Sequence, residues 1–181
     1  MKIGITGRNG FIGSALSKRF DNEVYSYPRP DLDILFHFGS PSSNIIFDKN
    51  LDYSLSETIN SFLSIVKFCR DNKIKLIYPS SATVYTKNTS YARCKSILEE
   101  IHQCYGGDIL GLRIFAGYGV GEEHKGEYAS VVYKFIQEMK SNKRPIIYGN
   151  GEQSRDFIYI DDIVDNIVEN LDKKGIVDIG T

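Results

Sequence analysis

Short apolar runs alternate along this chain with segments in which apolar positions recur every three or four residues. The runs, at 2–6, 23–27, 33–38, 74–78, 109–115 and 176–179, are rich in Ile, Leu and Val and predict strands buried on both faces. The periodic segments, at 11–20, about 55–72, 90–105, 127–141 and 161–171, predict amphipathic helices. Strands that alternate with helices build βαβ units, so the expected class is α/β: a parallel sheet with helices on both faces.

Two places are abbreviated. Only residues 28–32 separate the second predicted strand from the third, whereas a parallel crossover needs a dozen residues or more. Fully extended, they reach roughly 20 Å, about one strand length. A crossover helix and an edge strand are therefore expected to be missing here. At the other end the sequence stops at Thr181, just after the last predicted strand, which leads to the expectation of a reduced C-terminal lobe. The 181 residues suit one domain, 1–181, with small ligand-binding elements contributed by about 116–160.

Composition removes several classes of function. The formal net charge is -1, and no Lys/Arg run lies along a predicted helix, so nucleic acid is not an expected partner. No apolar stretch approaches bilayer length and the N-terminus enters a strand directly, which leads to the expectation of a cytoplasmic protein without membrane contact. Cys69, Cys94 and Cys104 are odd in number and lack Cys-x-x-Cys spacing, as expected of reduced thiols rather than disulfides or a metal site.

The chemistry begins with Gly7-Arg8-Asn9-Gly10-Phe11-Ile12-Gly13, between an apolar strand and a helix. Glycines there allow a tight turn, close approach of backbone to a pyrophosphate, and packing of helix on strand. The helix N-terminus adds unpaired N-H groups and a positive dipole. The expected unit is therefore Rossmann-like and binds NAD(P). An acidic residue closing the second strand would favour NAD; Tyr27, Pro28 and Arg29 stand there instead, so NADP is the expected cofactor, with NAD possible if Asp31 or Asp33 folds back to the ribose.

Ser80-Ser81-Ala82-Thr83-Val84-Tyr85 follows the fourth apolar run, at the strand's carboxyl end, where open α/β sheets place ligands. Tyr91 and Lys95 follow at i, i+4 on one helix face. An ammonium beside a phenol favours the phenolate, so Lys95 is expected to bring Tyr91 towards working pH as a general base.

The glycine loop, the Ser-rich strand end and the Tyr-x-x-x-Lys pair together resemble the extended short-chain dehydrogenase/reductase family, of the nucleotide-sugar epimerase and dehydratase type, over almost the whole chain. The resemblance implies that Ser81 bonds the reacting sugar oxygen, that Tyr91 is the acid/base, and that Lys95 binds the nicotinamide ribose. Thr83 stands where the family has another substrate-contacting residue, Thr in 4-epimerases and Glu in 4,6-dehydratases. Phe38-Gly39-Ser40 resembles the turn that packs on the cofactor, beside a structural His37. Arg155 resembles a ligand for the substrate diphosphate, its guanidinium offering a bidentate fork. Lys125, in a segment similar to one in some of the family's epimerases, and Tyr148 are expected to face the substrate. The implied ligand is a nucleotide-diphosphate sugar, and the implied assembly is a homodimer through helices 55–72 and 90–105.

Departures are also present. Only about ten residues separate Ser81 from Tyr91, Ala116 replaces a common Asn, and Thr58 stands for a cofactor-side Asn. The expected activity is sugar epimerisation through a transient keto-sugar. The same Ser/Tyr/Lys set would also serve a reductase, a 4,6-dehydratase or a uronic-acid decarboxylase, and the departures suggest a non-catalytic NAD(P)-sensing module as the other alternative.

Overall fold

The computed structural model describes residues 1–20 and 24–181. Its main sheet has six strands, β1 (Ile3–Thr6), β2 (Val24–Tyr25), β3 (Ile34–His37), β4 (Lys75–Ser81), β5 (Ile109–Ile114) and β8 (Gly175–Ile179), in the order β2-β1-β3-β4-β5-β8. Every pairing is parallel. A separate parallel pair, β6 (Ala116–Tyr118) with β7 (Phe157–Tyr159), lies beside it.

Side chains leave a strand on alternate faces, and each face has its own helices. Ile3, Ile5, Phe36, Ile77 and Leu112 point to one side, into a core shared with α1 (Phe11–Phe20) and α6 (Ile160–Glu169). Leu35, Leu76 and Tyr78 point to the other, against Phe62 and Val66 of α3 (Leu51–Asn72) and Leu98 of α4 (Ser90–Tyr105). This doubly covered parallel sheet is Rossmann-like, as expected.

The second strand is shorter than its predicted span 23–27: β2 is two residues long, and Glu23 lies outside the described residues. The reason is the return path. Val24 and Ile34 both align with Ile3 of β1, so residues 26–33 must cross β1 and come back to the same level with no helix to help. Leu32 runs over β1 at Gly4, where a Cβ would stand 2.5 Å from its Cδ1. Glycine at position 4 makes room for this strap, which does the covering that a crossover helix would otherwise do.

Other differences follow from capping. Asn50 accepts from the Tyr53 N-H and starts α3 at Leu51, ahead of the predicted residue 55. Ser43 accepts from the Ile46 N-H and starts α2 (Asn44–Lys49), a helix the periodicity did not predict. The predicted helix 127–141 divides into a 3-10 segment, Glu123–Tyr128, and α5 (Val131–Lys140). Gly126 has φ +51, and Ser130 caps the second part by accepting from the Tyr133 N-H.

All strands end on the same edge of the sheet. Between β1 and β3 the chain leaves in opposite directions, towards β2 and towards β4, and the crevice opened there is where such sheets hold ligands.

Candidate active site

The loop from β1 into α1 forms one wall of that crevice. Gly7 has φ +71, and a Cβ there would lie 2.6 Å from the backbone of Phe38. At Gly13 a Cβ would lie 2.2 Å from the Gly7 carbonyl oxygen. Strand, helix and the turn after β3 therefore meet backbone to backbone. Gly10 differs: its Cβ would meet only the Gly7 oxygen, at 3.2 Å, and would otherwise stand in the cleft that Gly10 lines. The helical ladder of α1 opens with the Ser14 N-H bonded to the Gly10 carbonyl, so the Phe11, Ile12 and Gly13 N-H groups come before it, with the helix dipole behind them. This cradle fits the diphosphate of a dinucleotide.

His37, at the end of β3, supports the facing turn. The Gly39 N-H donates to Thr6 Oγ1, which lies 2.8 Å from His37 Nδ1, and Ser61 Oγ is 3.5 Å from Nε2. Burial, reinforced by the charge of Lys95, lowers the imidazole pKa to about 4, so His37 is a neutral structural group.

The opposite wall comes from β4 and α4. Ser81 accepts from the Thr83 N-H at 3.3 Å and from Thr83 Oγ1 at 3.0 Å, so Thr83 holds the serine hydroxyl and is itself absent from the cleft lining. Thr89 caps α4 by accepting from the Ala92 N-H, which sets Tyr91 in the first turn and Lys95 one turn on. Phe47 of α2 packs edge-on against the Tyr91 ring, with centroids 5.4 Å apart.

Lys95 is 1% exposed; its Nζ donates to the Pro79 carbonyl at 2.9 Å and lies 5.6 Å from the centre of the Tyr91 ring. Burial lowers its pKa to about 8. The expected depression of the Tyr91 pKa is not found. Burial pushes the phenol up to about 12, against a hydrogen bond with Ser81 that favours the phenolate. The ammonium gives its bond to a carbonyl rather than to the phenol, so desolvation wins.

A cleft of about 700 Å³ lies between the walls, a volume ordinary for a cofactor site. Of the residues singled out from sequence, it is lined by Gly7, Gly10, Phe11, Ile12, Gly13, Phe38, Gly39, Ser40, Ser81, Tyr91, Lys95 and Lys125. Lys125 Nζ sits 4.4 Å from the centre of the Phe11 ring and 3.1 Å from Glu122.

Arg8, Asn9, Arg29, Tyr148 and Arg155 are not brought to the lining. Arg29 pairs with Asp31 through two contacts of 3.0 Å and covers the Tyr25 ring at 4.2 Å. Tyr148 is 81% exposed, and Arg155 bonds the neighbouring Ser154 carbonyl.

The sequence reading also missed residues. Tyr53 and Glu57, on the α3 turns before the buried Thr58, line the cleft, as do Ser42, Ser43 and Asn44. The caps at Ser43 and Asn50 were the available signal. Glu122 is fully buried and accepts from the Gly119 N-H, from the Ser130 N-H and hydroxyl, and from Lys125, so it organises the whole 118–131 segment.

Among the described residues, no cluster of His, Cys, Asp and Glu suits a metal ion, and no helix is long and apolar enough to cross a membrane.

Comparison with known proteins shows the family and the fold. Residues 27–180 match the model of the NAD dependent epimerase/dehydratase family. Over 174 residues the chain is 30% identical to the ADP-L-glycero-D-manno-heptose-6-epimerase of Brachyspira hyodysenteriae, with 83% of this chain and 54% of the relative aligned. The chain thus spans about half the length of that relative. Among solved structures it is similar to the UDP-N-acetylglucosamine 4-epimerase of Methanobrevibacter ruminantium, in complex with UDP-N-acetylmuramic acid (TM-score 0.88, 25% identity, 99% of this chain and 76% of that one). It is likewise similar to the Helicobacter pylori ADP-L-glycero-D-manno-heptose-6-epimerase (TM-score 0.85, 25% identity, 99% and 76%).

Proposed function

This chain belongs to the NAD-dependent epimerase/dehydratase family, and on that premise we propose that it epimerises a nucleotide-diphosphate sugar by transient oxidation to a keto-sugar. The observation that carries the reading is the convergence of Ser81, Tyr91 and Lys95 on one wall of a cleft whose other wall is the Gly7–Gly13 cradle. The residues of that cradle and of the Phe38-Gly39-Ser40 turn would hold the dinucleotide, which supplies reversible hydride acceptance when bound.

The rest of the chemistry belongs to the chain. As phenolate, Tyr91 takes the proton of a sugar hydroxyl, becoming the phenol, as the carbon bearing that hydroxyl is oxidised, and it gives the proton back, returning to phenolate, when the keto-sugar is reduced on the other face. Ser81, fixed by Thr83, orients the sugar oxygen. Lys95, desolvated under the phenol, supplies a positive charge that favours phenolate once a ligand reorganises its bonds. Walls of Phe11, Ile12, Ile114 and Phe115 limit water. Thr83 stands where the resemblance puts Glu in 4,6-dehydratases and Thr in 4-epimerases, which favours epimerisation over dehydration.

Residues 1–181 form one dinucleotide-binding unit, with 116–160 contributing Lys125 from the cleft wall, and Tyr148 and Arg155 from outside the cleft lining, to the sugar nucleotide. NADP is the preferred dinucleotide, its 2'-phosphate taking Arg29 from Asp31; loss of NADP preference in Arg29→Ala checks this. Two copies pair through helices 55–72 and 90–105, where Ile97 is exposed. Free thiols at Cys69, Cys94 and Cys104 suit a cytoplasmic setting.

The test is incubation with UDP, GDP, ADP and dTDP sugars, followed by NMR. Appearance of an epimer supports the reading, and absence of any product across the panel counts against it. Stoichiometric loss of nicotinamide absorbance during turnover would select a reductase instead.

A further inference from the structure

Tyr91, Lys95 and Glu99 fall at i, i+4 and i+8 on α4, so one helical stripe carries all three against the end of β4. Tyr91 lines the cleft together with Ser81, Lys95 bonds the Pro79 carbonyl, and the Ser80 hydroxyl donates to Glu99 Oε1 at 2.5 Å. The first two belong to the catalytic reading, while Glu99 faces away from the reacting groups. It is a carboxylate, 6% exposed, that a protein core would not hold without partners.

Those partners lead back to Ser81. Arg113 of β5 reaches Glu99 with Nε at 3.0 Å and Nη2 at 2.8 Å. Its Nη1 donates to the Tyr85 hydroxyl at 2.9 Å, and that hydroxyl donates to Asp178 of β8 at 2.7 to 2.8 Å. Tyr85 closes the 3-10 turn Ala82–Tyr85, which begins directly after Ser81. The residue before Ser81 is thus tied to Glu99, the turn after it is tied to Arg113, and the two ties meet in one bidentate ion pair. Burial pushes the Glu99 carboxyl up, but the bonds from Arg113 and Ser80 outweigh it and hold the group below the usual range, so the pair stays charged.

We propose that Glu99 and Arg113 are a positioning pair that fixes the Ser81 hydroxyl against the Tyr91 phenol by holding both flanks of Ser81 to the helix that carries Tyr91. This rests on the epimerase reading for its catalytic consequence, but not for its geometric one. Neither residue touches the reacting atoms. If the tie loosens, Ser81 moves relative to Tyr91 while the dinucleotide cradle, on the other wall, is untouched.

The test uses the full chain labelled with carbon-13 at tyrosine Cζ, with the Tyr91 resonance assigned by its loss in Tyr91→Phe. Ser81→Ala defines the shift caused by removing the Ser81 hydroxyl from the cleft it shares with Tyr91. Ser80→Ala/Tyr85→Phe cuts both ties yet leaves the ion pair in place, so it is the variant that should still fold, as checked by thermal melting. Glu99→Gln breaks the pair itself. The expected result is that the double variant and Glu99→Gln move the Tyr91 resonance in the direction of Ser81→Ala. A resonance that stays at the wild-type position in both variants, or that Ser81→Ala itself leaves unmoved, overturns the proposal.

Where wild-type turnover is found, the same variants should lose about 10-fold to 100-fold in kcat with little change in KM, the scale expected when a positioned group is displaced by an ångström. An unchanged kcat also overturns it. An inactive wild type with the expected resonance shifts refutes the epimerase reading alone.

Discussion

Two glycines of the β1 to α1 loop should fail in different ways when each is replaced by alanine. At Gly13 a Cβ would lie 2.2 Å from the Gly7 oxygen and 2.8 Å from the Gly7 carbon, both of them backbone, so about an ångström of main chain must give. Overpacking of that kind costs about 3 kcal/mol at the upper end of its usual range. Replacing glycine inside a helix returns about 1 kcal/mol. The net loss is about 2 kcal/mol, or a Tm lower by about 4–8 °C for a chain of this size.

Gly10→Ala meets one atom at 3.2 Å and otherwise points into the cleft, so folding is spared and ligand is not. Its Tm should stay within about 2 °C of wild type, while dinucleotide affinity falls about tenfold or more, which corresponds to about 1.4 kcal/mol. Thermal melting and fluorescence titration with NADP and NAD read the two quantities separately. If Gly10→Ala binds dinucleotide as tightly as wild type, the cradle is not the phosphate seat; if Gly13→Ala melts normally, the close packing argued from its Cβ is wrong.

Gly4→Ala should destabilise by about 1–3 kcal/mol through overlap with Leu32 Cδ1, and in urea unfolding the double variant Gly4→Ala/Leu32→Ala should be more stable than the sum of the single losses; simple additivity would refute the strap. Tyr91→Phe should leave dinucleotide binding intact and lower kcat by about 10²-fold to 10⁴-fold, and retained turnover would remove Tyr91 from the chemistry. Lys95, with a folded pKa of about 8 against 10.5 unfolded, binds fewer protons folded than unfolded in that window, so its contribution makes stability rise with pH between about 8 and 10. Lys95→Met should flatten that rise and stabilise the dinucleotide-free protein at pH 7 by a few kcal/mol, measured by urea unfolding across pH; an unchanged pH profile would show that the ammonium is not desolvated as described.

What the sequence made legible divides by physical cause. Buried strands carry a continuous apolar signal, and so β1, β3, β4 and β5 and the order of chemistry along them were readable; β8, a partly buried edge strand, was readable from Ile176, Val177 and Ile179. The glycine loop was readable too, because strand, turn and helix each leave a local mark. Gly4 shows where local reading ends. Its meaning lies in Leu32, 28 residues away, crossing it on one face of β1.

Thr83 was legible as a neighbour of Ser81, but its bond to the serine hydroxyl depends on a 3-10 turn that periodicity does not signal. Arg29 was picked out for its charge. Its pairing with Asp31 was as close in sequence as two residues, yet charge patterning does not say which partner a guanidinium chooses. The Tyr91 pKa went the other way from expectation because the spacing to Lys95 puts the two groups on one helix face without stating that the ammonium will bond the Pro79 carbonyl.

At the centre of this account, the Tyr91 phenol meets a sugar oxygen beside a dinucleotide seated on the start of α1. A crystal structure of the protein with dinucleotide and a nucleotide sugar bound measures this directly. The account predicts Tyr91 Oη at about 2.6–3.2 Å from the sugar oxygen whose carbon faces the nicotinamide, with Ser81 Oγ on the same oxygen. A phenol turned away from the sugar, or a nicotinamide ring excluded from the space beside Lys95, would contradict it.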